Sequence, residues 1–137
     1  NRAALLTGWV SNEELSKEVA SLIANVENVR EIINELNIGP KATGKMFARD
    51  TILTAKIKAS FIDEEKLNAN VVKVKTENGI VFLMGIVTQR EANLAADIAS
   101  RVKGTKRVVK VFEVKSEIEI ANIDAVINSQ KPKKPSK

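Results

Sequence analysis

The apolar positions of this chain alternate with polar ones over short runs, and between those runs they recur every three or four residues. Alternation predicts strands and the wider spacing predicts amphipathic helices. Leu53, Ile57 and Phe61 recur at four-residue spacing and form the stripe of a helix beginning near Ala48–Asp50, with Asp50 as its N-cap candidate. Asp63-Glu64-Glu65 breaks that stripe. Val72 and Val74 then alternate with Lys73 and Lys75 as a strand. Glu77-Asn78-Gly79 predicts a hairpin, because Asn-Gly tolerates the positive φ of a type I′ turn. Ile80–Val87 returns as a strand that is apolar on both sides and therefore central. Thr88 caps the next helix, and Glu91 three residues on completes a capping box. Leu94, Ile98 and Val102 are expected to bury one face of that helix, and Gly104 to end it. Arg107–Val114 is a third strand, with Val109, Val111 and Glu113 on one face and Val108, Lys110, Phe112 and Val114 on the other.

Much of this pattern occurs twice. Leu5-Leu6-Thr7-Gly8-Trp9-Val10 returns seventy-seven positions later as Phe82-Leu83-Met84-Gly85-Ile86-Val87. Val26, Val29, Ile32 and Leu36 likewise match Val102, Thr105, Val108 and Phe112, seventy-six positions on. A repeat of this length means two copies of one small module. The first copy supplies a strand (3–10), a helix (13–26) and a strand (29–37), and Asn1-Arg2 aligns with the hairpin turn Asn78-Gly79. Its first helix and first strand therefore have no counterpart, and so small a unit needs a covering surface. Three candidates would supply one: a preceding N-terminal piece, the second copy, or another copy of the chain in a domain-swapped homo-oligomer. The expected class is α+β, two modules of order helix–strand–strand–helix–strand, each a small mixed sheet with helices on one face. The expected partition is residues 1–38 for the end of a first module and 39–48 for a linker. Residues 49–115 make a complete second module and 116–137 a C-terminal extension. Within the extension, Ile120, Ile123 and Ile127 predict a short helix at Asn122–Ser129 packed on one module.

Composition removes chemistry more than it adds any. The chain has no Cys and no His, so the commonest nucleophile, general base and soft metal ligands are absent. No catalytic residue, cofactor or metal site is nominated. No apolar run approaches the roughly twenty residues that span a bilayer. The formal net charge of +5 is misleading as a property of the fold, since four lysines in residues 131–137 account for most of it. With two prolines, that stretch reads as a disordered basic tail, a solubilising terminus in the first reading and a loose attraction to anionic lipid or another acidic surface in the second. The opening Asn reads as a processed or trimmed start.

The run Asn70–Val74 through Asn78–Val87, the helix 91–102, the turn Lys103-Gly104-Thr105 and the strand 108–112 resemble a BON domain. The resemblance covers a complete second domain and the last half of a first. It implies a periplasmic protein attached to the outer membrane through an N-terminal lipid, supporting envelope integrity under stress. It also implies binding of anionic phospholipid through the first helix of the second domain, with outer-membrane assembly proteins as further partners. In that helix Leu53, Ile57 and Phe61 point inward, so Ile52, Ala55, Lys58, Ala59 and Ile62 fall on the opposite face with Lys56 flanking it. Ile52, Ala55, Lys56, Lys58, Ala59 and Ile62 are the candidate lipid-binding residues. Two isoleucines beside lysines on an outward helix face suit an interfacial membrane contact. The family carries a Trp where this chain has Ile52, which weakens interfacial anchoring. The competing reading packs this face against the first module.

Other motifs dissolve on inspection. Gly39-Pro40-Lys41-Ala42-Thr43-Gly44-Lys45 has P-loop spacing, but Met46 stands where a hydroxyl must reach magnesium, and a Gly/Pro linker accounts for it. Trp9 reads as a core or rim residue, and Asp63–Glu65 as a solvated turn rather than a cation loop. An RNA-binding module is the reading from another class, yet there is no Gly-x-x-Gly loop and no aromatic pair on a central strand. No nucleic-acid partner is expected. A protein-interaction module of the envelope without lipid binding remains the alternative.

Overall fold

A computed structural model describes residues 2–40 and 43–130, which leaves the basic tail and the Lys41-Ala42 part of the P-loop-like segment outside the described residues. The first module is β1 (Ala3–Val10), α1 (Glu13–Ala24) and β2 (Glu31–Ile38). The second is α2 (Gly44–Asp63), a 3₁₀ turn at Ala69–Val71, β3 (Lys73–Glu77), β4 (Ile80–Val87), α3 (Gln89–Arg101) and β5 (Arg107–Val114). A last helix, α4 (Glu117–Gln130), follows. β1 and β2 pair in parallel, while β3 pairs antiparallel and β5 parallel with the central β4. The class is the α+β arrangement expected from the pattern, and β1, β4 and β5 have the bounds that the repeat and the apolar pattern predict.

Local chemistry explains the boundaries. Asn12 accepts a hydrogen bond from the Leu15 amide at 2.7 Å, Thr43 from Met46 at 3.3 Å, and Thr88 and Glu91 form the full capping box. The hairpin has φ of 50° at Asn78 and 76° at Gly79, as a type I′ turn requires. Gly85 has φ of 140°, and a Cβ there would lie 2.1 Å from the Val71 carbonyl oxygen, so β4 passes the 3₁₀ turn too closely for any side chain.

The core lies between the β3–β4–β5 sheet and the pair α2, α3. Leu53, Ile57 and Phe61 from α2 meet Val81, Leu83 and Val87 from β4 and Ala92, Ala95 and Ala99 from α3. Each large side chain buried there contributes about 1.5–3 kcal/mol. Thr54 donates to Thr76 at 2.8 Å, which satisfies a hydroxyl that would otherwise be stranded. Val108 and Phe112 pack on this core from β5.

Four expectations need correction. First, α2 begins at Gly44 rather than near Ala48–Asp50, so helix occupies half of the expected linker 39–48. Thr43 caps it, and Asp50 is no N-cap: its carboxylate accepts from the amides of Asn78 at 2.7 Å and Gly79 at 2.9 Å. Second, the fully buried stripe of α3 is Ala92, Ala95 and Ala99, while Leu94, Ile98 and Val102 are only partly buried at its margins. Small residues let the helix axis approach the sheet, and the larger ones fill the flanks. Third, α4 starts five residues before Asn122 because Ser116 and Glu119 exchange capping hydrogen bonds. Fourth, α4 buries no residue fully and only Ile120 and Ile123 in part, so it lacks the packed apolar face expected of it. Its apolar side chains lie all round the helix instead of along one stripe.

The first module lies over the helix-free face of the second sheet. Phe82 points away from the α2–α3 core, yet it is only 1% exposed, which a sheet face reaches only when covered. Ala3 and Leu5 of β1 line a cleft with Met84, Ile86 and Val111, and the Glu35 carboxylate meets the Arg107 guanidinium at 2.9 Å.

Candidate functional site

The six candidate residues sit on α2, whose inward stripe is fixed by Leu53, Ile57 and Phe61. At about 100° per residue, Ile52, Ala55, Ala59 and Ile62 fall together on the outward face. All six candidates are exposed, Ile52 at 57% and Ile62 at 74%. The alternative packing of this face against the first module does not occur, because that module occupies the helix-free side of the sheet.

The two lysines are not neighbours. Lys56 turns toward α3 and lines a groove with Ser60, Ile98, Arg101 and Val102. Lys58 turns the opposite way and lines a groove with Ile62, Ala69, Asn70 and Lys73. The result is an apolar ridge with a cation on each flank, the cross-section expected of a helix that lies in a membrane interface.

Folding brings in further cations that the helix pattern alone does not contain. Arg49 and Lys56 share a flank of α2, two turns apart. Beside them stand Lys103 and Lys106 from the turn between α3 and β5, and together the four line a cleft of about 340 Å³. Met46, Ile52 and Leu53 form its apolar side, and Asp50 with the Asn78-Gly79 turn its floor. Lys106 holds this corner, since its amide donates to the Gly79 carbonyl at 2.9 Å and its Nζ to Asn78 Oδ1 at 3.2 Å. The only linear trace of this cluster is the basic run Lys103–Arg107, interrupted by Gly104 and Thr105.

The remaining candidates have structural places. Trp9 is half-buried where the end of β1 meets Gly39, Pro40 and the first turns of α2, in a cleft with Phe47. Its indole N–H is buried with no hydrogen-bond partner among the described residues. Glu64 ends α2 and its carboxylate accepts from the Lys66 amide at 3.1 Å, a turn rather than a cation loop. Among the described residues no group of three or more His, Cys, Asp or Glu could hold a metal ion, and no helix is long and apolar enough to cross a membrane.

A helix, a hairpin, a crossover helix and a parallel strand, preceded by the last three elements of the same plan, define a tandem of small α+β modules. The BON domain model matches residues 1–40 and 49–116, and the chain belongs to the BON-domain family. It is 42% identical over 113 residues to the outer membrane lipoprotein DolP of Haemophilus influenzae, a match covering 82% of this chain and 58% of the relative. It is 36% identical over 112 residues to the 21 kDa hemolysin of Actinobacillus pleuropneumoniae, with 82% of this chain and 58% of the relative covered. It is 30% identical over 117 residues to osmotically-inducible protein Y of Escherichia coli, with 83% and 58% covered. The chain thus spans a little more than half the length of each of these relatives.

Proposed function

We propose that this chain is a non-enzymatic protein of the bacterial periplasm that binds anionic phospholipid at the inner surface of the outer membrane and supports envelope integrity. The observation that carries this reading is the outward face of α2, with Ile52 and Ile62 more than half exposed and Lys56 and Lys58 on opposite flanks. Each isoleucine inserted below the headgroups contributes roughly 1.5–3 kcal/mol, and each lysine near an anionic surface about 1 kcal/mol. Likeness to an outer membrane lipoprotein supports the location, and attachment through an N-terminal lipid belongs to the same proposal.

A second reading has its own observation. Leu22 of α1 is 62% exposed and Ile118 of α4 is 75% exposed, and neither belongs to α2. These suit a protein partner of the envelope, such as a component of outer-membrane assembly, without direct lipid contact.

Co-sedimentation with phosphatidylglycerol and phosphatidylcholine vesicles at physiological salt separates the two. On the lipid reading the chain pellets with the anionic vesicles only, and Ile52→Ser/Ile62→Ser lowers the partition at least tenfold. A chain that pellets with neither kind of vesicle would favour the protein-partner reading, and partition that the double substitution leaves intact would move the lipid contact away from α2.

A further inference from the structure

The cleft beside the apolar ridge has a charge balance that its own contacts do not explain. Arg49, Lys56 and Lys103 make no ion pair or hydrogen bond with any described carboxylate, although each lines the same 340 Å³ space. The one carboxylate there, Asp50, already accepts from two backbone amides, at 2.7 and 2.9 Å. Four cations therefore face a small cavity with one committed anion, and each pair of like charges repels there unless an anion is bound. A cleft of this size lies at the low end of those that hold small ligands, enough for a headgroup and too small for acyl chains.

We propose that this cleft is the seat of one phosphodiester headgroup, gripped by Arg49, Lys56, Lys103 and Lys106 while its lipid lies in the bilayer against the ridge. The inference rests on the membrane reading of α2 and adds to it a discrete site built from a second element, the turn between α3 and β5. Guanidinium suits a phosphate because its planar fork donates two parallel hydrogen bonds, and the lysines supply point charge. A membrane lipid is favoured over a free phosphate because Ile52 belongs both to the cleft wall and to the exposed ridge. A headgroup held here leaves its acyl chains beside an apolar helix face, whereas a soluble anion gains nothing from Met46, Ile52 or Leu53.

The test compares Arg49→Gln/Lys103→Gln with Lys66→Gln/Lys110→Gln, which removes the same charge elsewhere, in the full chain against vesicles of phosphatidylglycerol in phosphatidylcholine. The expected result is at least a fivefold loss of partition for the cleft pair, less than twofold for the control pair, and vesicle-dependent shifts of the Gly79 and Gly104 amide resonances in the parent chain. Equal losses for both pairs would overturn the site in favour of diffuse charge. Saturation of the same amide shifts by millimolar inorganic phosphate, with no added effect of vesicles, would overturn the lipid as its source. If Ile52→Ser/Ile62→Ser abolishes partition while Arg49→Gln/Lys103→Gln does not, the seat falls and the membrane face stands. If the parent chain binds no vesicle, both fall.

Discussion

Asp50 illustrates how one residue can mislead a reader of sequence and still be indispensable. An Asp just ahead of an apolar stripe is a natural N-cap, and nothing local distinguishes it from one. The helix already starts at Gly44 with Thr43 as its cap, and Asp50 inside it clamps the hairpin turn across the module. Hydrogen bonds from amides to a carboxylate contribute about 1.5–3 kcal/mol each when partly shielded. Asp50→Ala is therefore expected to lower unfolding free energy by about 2–3 kcal/mol with an unchanged denaturant slope, measured by urea titration. A change below about 0.5 kcal/mol would mean that water replaces the clamp without cost. Arg49, next to it, was equally silent in the sequence: its role in the basic cleft depends on Lys103 and Lys106, which only the fold brings near.

At the scale of elements, short-range signals were reliable. The Asn-Gly hairpin and the Thr88–Glu91 capping box are each decided by residues within a few positions of one another. Elements whose extent depends on packing were harder, and α4 is the example. Residues 117–121 precede the helix that the isoleucine spacing predicts, yet the Ser116–Glu119 capping exchange starts a helix there. The Ser116 amide beside Glu119 holds that carboxyl below the ordinary glutamate value. A carboxyl with a lowered pKa in the folded helix stabilises it above the unfolded value, and that contribution disappears as pH falls through the lowered one. The start of α4 should therefore be firm at neutral pH and fray under acid conditions. Following the Glu119 side chain and the Ser116 amide by NMR should show one shared transition below the ordinary value of about 4.3. Glu119→Gln should remove that transition, and an unaltered Ser116 profile in this variant would refute the assignment.

For the whole molecule, the decisive contact is between modules. Sequence reasoning left open whether the first module covers the outward face of α2 or something else. The covered surface is the helix-free face of the second sheet, marked by the burial of Phe82. An ion pair between the half-exposed Arg107 and the more covered Glu35 adds little, about 1 kcal/mol at most. Arg107→Ala should accordingly cost no more than about 1 kcal/mol, with the difference vanishing in 1 M salt, where screening acts over about 3 Å. Phe82→Ala should cost about 3–5 kcal/mol at any salt concentration, as a buried aromatic does. Calorimetry of both variants at two ionic strengths decides the matter, and a larger loss from Arg107→Ala would reverse the ranking.

By itself the sequence determined the repeat, the α+β class, the hairpin and the family likeness, because these arise from periodicity, turn chemistry and motif spacing along the chain. It also placed Ile52, Ala55, Lys56, Lys58, Ala59 and Ile62 by helical angle alone. Only the tertiary structure decided that their face is open, that Lys56 and Lys58 diverge to opposite flanks, and that Arg49 joins Lys103 and Lys106 around one cleft. Exposure and charge clustering are properties of what lies nearby in space. Side chains from α2 and from the loop after α3 meet only when both helices bury their inner faces against the same sheet.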